Sequence, residues 1–106
     1  MSRLVNYERL LERFLSGAMP VEEFQVTYLD RFKNEGQLDE PLFELLDELF
    51  GDVDSFTTDP QLLAENPSFY LDEAGLRQKV RQAAARLSDL RVARGQVQRA
   101  RGQVEH

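Results

Sequence analysis

The side chains able to do covalent or acid–base chemistry are few, and their positions give them nothing to work with. The sequence has no cysteine and one histidine, His106, its last residue. A nucleophilic dyad or triad therefore has no members, and disulfides and thiolate metal sites have no ligands. The run "DVDSFTTD" begins like a calcium loop, with Asp52 and Asp54. Phe56 then falls where the third ligand belongs, Thr57 replaces the turn glycine and Leu63 replaces the closing glutamate. No glycine-rich phosphate loop is present. Carboxylates on a solvated helix face have no cause to hold a raised pKa, so spacing supplies no proton donor either. The expectation is a non-enzyme with no catalytic residues, no cofactor and no metal site.

What the chain does carry is charge, sorted along its length. Residues 1–33 balance five basic against five acidic side chains. Residues 34–76 hold twelve acids and no lysine or arginine, a local charge of −12. Residues 77–106 hold eight basic residues and two acids, so that the net charge of −6 hides a boundary near Arg77. Within the acidic part, Glu40, Glu44, Glu48 and Asp52 recur every four residues, and Asp47 and Asp54 widen the stripe. On a helix such residues follow one another about 6 Å apart. Like charges at that spacing cost a few tenths of a kcal/mol each, and a merely solvated helix normally intersperses lysines. Asp59, Glu65, Asp72 and Glu73 continue the negative run. Such a region repels nucleic acid and attracts a basic surface; the alternative is a soluble acidic face without a specific partner.

The elements that must position these carboxylates read as helices. Leu4, Tyr7, Leu10, Leu11 and Phe14 have helical spacing over 2–15, with Ser2 as N-cap and Gly17 as terminator. Pro20 fits the first turn of a second helix with Val21, Phe24, Tyr28 and Phe32 on one face, stopping near Gly36. Asp39 is the expected cap of a third helix with Pro41 just inside, and Leu42, Leu45, Leu46, Leu49, Val53 and Phe56 form its apolar face. Phe43 and Phe50 lie on the border of that face, open to either core or interface, whereas Phe56 and Tyr70 are expected in the core. "TTDPQLLAENPS" is a loop with one short turn at Gln61–Ala64. Asp72 caps a last helix, with Leu71 and Leu76 as a hydrophobic staple, and Leu76, Val80, Ala84, Leu87 and Leu90 as its buried side. The sequence alone gives no reason for Gly75.

A chain of 106 residues makes one domain. Four amphipathic helices without a strand predict an all-α, four-helix antiparallel bundle. "ARGQV" occurs twice, seven residues apart, and positions 76, 83, 90, 97 and 104 keep a heptad rhythm interrupted by Arg94 and Arg101. The C-terminal stretch is thus a projecting continuation of the last helix or a disordered tail. The domain organisation expected is a bundle over 1–92 and a basic extension over 93–106. The charged start excludes a secretory signal and no run is long enough to span a bilayer, so a cytoplasmic location, no membrane contact and a monomer are expected.

The order of features resembles the colicin D immunity proteins and the immunity proteins of contact-dependent growth inhibition systems. The resemblance covers roughly Leu10 to Leu87. It rests on "FLSGAMPVEEF", on "DELF" at Asp47–Phe50, on Asp54, Phe56 and Asp59 as an acid-x-Phe-x-x-Asp run, and above all on "YLDEAGLRQKV". It implies a small helical bundle that blocks a tRNA-cleaving nuclease toxin, filling the toxin's basic cleft with carboxylates that stand in for phosphates. Together with the acidic stripe it marks Glu44, Asp47, Glu48, Asp52, Asp54 and Asp59 as toxin-binding residues, with Asp72 and Glu73 at the rim. Asp72 serves equally well as a plain N-cap. Two departures stand out: a longer, proline-rich link from Asp59 to Tyr70, and 19 residues beyond Leu87. The alternative reading is a helical adaptor or dimerisation module built on the basic C-terminal helix. A third, RNA binding by Arg77, Lys79, Arg81, Arg86, Arg91, Arg94, Arg99 and Arg101, is opposed by the neighbouring −12 region.

Overall fold

Each predicted apolar stripe folds into one helix, and the stripes meet in one core. The computed structural model describes residues 3–104, and side chains through Arg94. Its elements are α1 (Arg3–Leu15), α2 (Val21–Lys33), α3 (Glu40–Asp54), the short α4 (Pro60–Glu65) and α5 (Glu73–Val104). No strand occurs among the described residues. The last helix continues as helix to Val104, so its C-terminal part extends rather than ends the fold. Ser2 as a cap, and the side chains of the heptad positions 97 and 104, lie outside the described residues.

The pairings show an antiparallel bundle in which α1, α2, α3 and α5 each pack on the next and α5 closes back on α1. Phe14 stacks on Phe24 at 4.3 Å between ring centres, while Tyr7 meets Tyr28 edge-on at 5.9 Å, so α1 and α2 run oppositely. Tyr28 is fully buried, and its hydroxyl donates to the Leu46 carbonyl at 2.7 Å, joining α2 to α3 without leaving an unpaired polar group. Leu42, Leu45, Leu46, Leu49 and Val53 of α3 bury against Leu76, Val80, Ala83 and Leu87 of α5 in one cluster. Each such leucine or valine contributes about 1.5–3 kcal/mol on leaving water. Ala83 rather than Ala84 takes the buried place on α5: positions 76, 80, 83 and 87 follow i, i+4, i+7, i+11, and Ala84 sits at the margin.

The turns supply the remaining corrections. Gly17, at φ 86°, takes the left-handed backbone that ends α1, with Met19 N–H reaching back to the Arg13 carbonyl at 3.1 Å. Pro20 stands at the N-cap, just before the first turn, and α2 ends at Lys33, where the Asn34 side chain bonds the Asp30 carbonyl. Asp39 occupies the N-cap position of α3 but makes no side-chain capping bond; its carboxylate pairs with Arg94 instead. Asp72 does cap α5, accepting from Gly75 N–H at 2.8 Å. This bond also accounts for Gly75. A Cβ there would lie 3.2 Å from the Asp72 carboxylate and 3.3 Å from Leu71 Cδ2, crowding both the cap and the staple.

Candidate functional site

The carboxylates are held by α3 and by the loop that follows it. Ser55 ends α3 with its hydroxyl on the Gly51 carbonyl at 2.8 Å. Phe56 is then tucked into the core, and Leu71 pairs with this stretch through Thr57 N–H to Leu71 O and Leu71 N–H to Ser55 O, both 2.9 Å. The excursion from 57 to 70 is thereby pinned at its two ends, and α4 forms its far side. Asp59 accepts from Gln61 N–H at 2.9 Å and caps α4. Tyr70 is only half-buried, set edge-on against the exposed Phe69 at 4.9 Å; the sequence-based expectation of a core position does not hold. The proline-rich link leaves it too few apolar neighbours.

The acidic stripe does not run straight along α3. A helix turns about 100° per residue, so four residues overshoot a full turn by about 40°. Glu40 and Glu44 therefore face solvent opposite the leucines, while Glu48 and Asp52 come round to the edge beside α5. There they meet basic side chains of the chain itself. Arg86 donates to and pairs with the Glu48 carboxylate. That hydrogen bond, then the guanidinium charge, pull the Glu48 pKa below the ordinary carboxylate range. Asp52 is half-buried, and desolvation pushes its pKa upward; Lys79 works against this and Glu48 with it. A cleft of about 70 Å³ lies between the two helices here, lined by Glu48, Asp52, Lys79 and Arg86 over an apolar floor.

The same pattern repeats along α5. Arg94 pairs with Asp39, and Arg91 bonds Glu8 of α1 at 2.9 Å. Arg77 bonds Glu73 at 3.1 Å, donates to the Phe14 carbonyl and lies over the Phe14 ring at 4.5 Å from its centre. At the other end of the bundle, Arg3 pairs with Glu35 at 3.2 Å, and Glu35 also accepts from the Tyr7 hydroxyl at 2.7 Å. Burial raises the Tyr7 pKa foremost, with that hydrogen bond adding to it. The basic last helix is thus in part the counter-charge of the acidic third one. The signal was in the sequence as Lys79 and Arg86, seven apart on one helical face, but only the docking of α5 on α3 identifies their partners.

The predicted site residues divide accordingly. Glu48 and Glu73 are ion-paired, Asp52 lies in the cleft beside Lys79, and Asp59 and Asp72 serve as helix caps. Glu44, Asp47 and Asp54 are exposed and make no ion pair or hydrogen bond among the described residues. The structure brings Glu44, Asp47, Glu48, Asp52 and Asp54 together on α3. Asp72 and Glu73 stand apart at the start of α5, linked to the end of α3 through the Leu71 pairing.

Beside Asp47 and Asp54 lies an aromatic ridge. Phe43 is 46 % exposed and Phe50 half-buried. Both rest on Phe32 of α2, at 5.8 and 5.4 Å between ring centres. The border position read from the sequence resolves into a ridge braced from beneath and open above.

No cluster of three or more metal-binding side chains occurs among the described residues, and none of the described helices is long and apolar enough to cross a membrane. No curated protein and no solved structure matches the chain. One family model does, that of bacterial self-protective colicin-like immunity, over residues 1–87. The match spans α1 to α4 and α5 as far as Leu87, which is the part carrying the buried core and the acidic stripe. The chain belongs to the colicin-like bacterial immunity family.

Proposed function

We propose that this chain neutralises a cognate bacterial ribonuclease toxin, of the colicin D or contact-dependent growth inhibition kind, by covering its basic active-site cleft with carboxylates that mimic phosphates. One observation carries the reading: after α5 has engaged Glu48, Glu73 and Asp39, the solvent side of α3 still presents Glu40, Glu44, Asp47 and Asp54 without a counter-charge among the described residues. An uncompensated acidic face is costly to hold on one helix and gains most from a cationic partner, which it also steers into place. Family membership supplies the class of partner: a toxin against which the producing cell protects itself.

In this reading Glu44, Asp47 and Asp54 meet the toxin directly. Glu48 and Asp52 sit at the edge of the contact, where toxin cations would compete with Arg86 and Lys79, and Asp59, Asp72 and Glu73 form the rim. The protein works in the cytoplasm as a binding inhibitor without cofactor or metal. Residues 1–92 form the inhibitory domain and 93–106 a basic extension.

The test uses the basic C-terminal domain of the toxin encoded beside this chain. An equimolar amount of the purified chain should stop its cleavage of tRNA, and binding should weaken as salt rises. Absence of both inhibition and complex formation at micromolar concentration would sink the proposal. A chain ending at Val92 should inhibit as well as the full one; if it instead lost a dimeric state together with inhibition, the adaptor reading would replace this one.

A further inference from the structure

The free carboxylates and partly exposed rings of α3 alternate. Phe43, Asp47, Phe50 and Asp54 stand at i, i+4, i+7 and i+11, so they form one line along the helix, ring and acid in turn. Two properties separate this line from an ordinary solvated face. The rings are fixed, since Phe32 supports both and is itself stacked on buried Tyr28 at 6.4 Å. The acids are free, since neither Asp47 nor Asp54 makes an ion pair or hydrogen bond among the described residues.

The molecule itself shows what such a pair of groups takes. At the start of α5 a phenylalanine ring and a carboxylate hold one guanidinium between them: Arg77 lies 4.5 Å over the Phe14 ring while its Nε bonds Glu73 at 3.1 Å. A planar guanidinium can stack on a ring and keep its N–H groups free for a carboxylate at the ring's edge; a lysine ammonium, compact and strongly hydrated, does this less well. From this we infer that the Phe43–Asp47–Phe50–Asp54 line reads arginine: arginines of the partner's cationic surface lie across Phe43 and Phe50 and bond Asp47 and Asp54. Guanidinium stacking adds a requirement of shape to what would otherwise be charge attraction alone. The inference deepens the toxin-binding proposal and, as to the partner's identity, rests on it.

Two measurements test it. In the first, binding of the neighbouring toxin domain is compared for the wild type, Phe43→Ala, Asp47→Asn and, as a control on α1, Glu12→Gln, with circular dichroism confirming that each variant is folded. Phe43→Ala and Asp47→Asn should each weaken binding at least about tenfold, and Glu12→Gln by no more than about threefold. If the wild type binds and the first two variants stay within about twofold of it, the arginine reading is overturned while the immunity reading stands. In the second, backbone amide NMR spectra of the full chain are recorded with N-acetyl-arginine amide and with N-acetyl-lysine amide at matched ionic strength. Shifts centred on Phe43, Asp47 and Phe50, larger with the arginine compound and lost in Phe43→Ala, support the inference. Equal shifts from both compounds, or none, overturn it. Because this arm needs no toxin, it decides the matter even if the toxin domain fails to bind and the immunity reading falls.

Discussion

Along one edge of α3, Glu48 is held by Arg86 and Asp52 is half-buried beside Lys79. Along the other, Asp47 and Asp54 stand in solvent with no partner among the described residues, next to Phe43 and Phe50. The composition of the two edges is alike in its acids and differs in what the fold brings up to them. α5 packs against the first edge and neutralises it. α2 meets the second edge with Phe32, which supports the rings and leaves the acids alone. Charge density read along the sequence therefore overstates the free charge of one edge and says nothing of the rings that stand beside the free carboxylates of the other.

This contrast breaks most readily under charge reversal. Asp47→Lys with Asp54→Lys should reduce toxin affinity by about a hundredfold or more, since two cations would then face a cationic cleft, with the melting midpoint unchanged within about 2 °C. Glu48→Lys should do the reverse. It sets a cation against Arg86 and Lys79, lowering the melting midpoint by about 2–5 °C, and costs clearly less affinity than the Asp47 and Asp54 reversal. Equal loss of affinity from both edges, measured by calorimetry, would erase the distinction.

A finer probe lies in pH. The Glu48 pKa is depressed, so its contribution is present above the ordinary carboxylate range and is lost as pH falls through its folded value. The Asp52 pKa is raised. The folded state then holds the proton more tightly than the unfolded one, and stability is lost as pH rises through the raised value. Asp52→Asn should thus raise the melting midpoint at pH 7 by about 1–2 °C, a modest gain because the group is largely solvent-screened, and leave it unchanged near pH 3. Glu48→Gln should lower it at pH 7 and converge with the wild type in acid. Thermal melts across pH separate the two residues. The smallest expected effect is at Gly75→Ala. Helix propensity favours alanine by up to about 1 kcal/mol, yet a Cβ 3.2 Å from the Asp72 carboxylate would disturb the cap. Little or no gain in chemical stability should result, whereas a full gain would show that the cap yields freely.

Most of the fold was legible because the apolar spacing is strong and local. Leu4, Tyr7, Leu10, Leu11 and Phe14 of α1 and the five leucine and valine positions of α3 are all buried where their period places them. Errors fell where period gives way to context. Ala83 and Ala84 cannot be told apart by pattern when the neighbours are also alanine. Tyr70 depends on what a proline-rich loop leaves around it. Asp39 is at the cap position, but an arginine 55 residues away competes for its carboxylate. For the carboxylates, their places on α3 were readable and their division between solvent and α5 was not. Nothing between Glu44 and Glu48 in the sequence distinguishes an acid that faces solvent from one that faces Arg86.

The sequence by itself determined four amphipathic helices, a bundle to bury their stripes, a −12 segment followed by a +6 one, and a composition without cysteine and with a single, terminal histidine. These depend on residue type and on contacts a few positions apart, so the chain states them directly. Only the tertiary structure decided which carboxylates α5 neutralises, why residue 75 is glycine, and that Phe43 and Phe50 stand on Phe32 beside free acids. The physical reason is the overshoot of about 40° at every fourth residue. It carries an evenly spaced row of acids from open solvent round to a neighbouring helix, and where the row stops being free depends on where that helix docks.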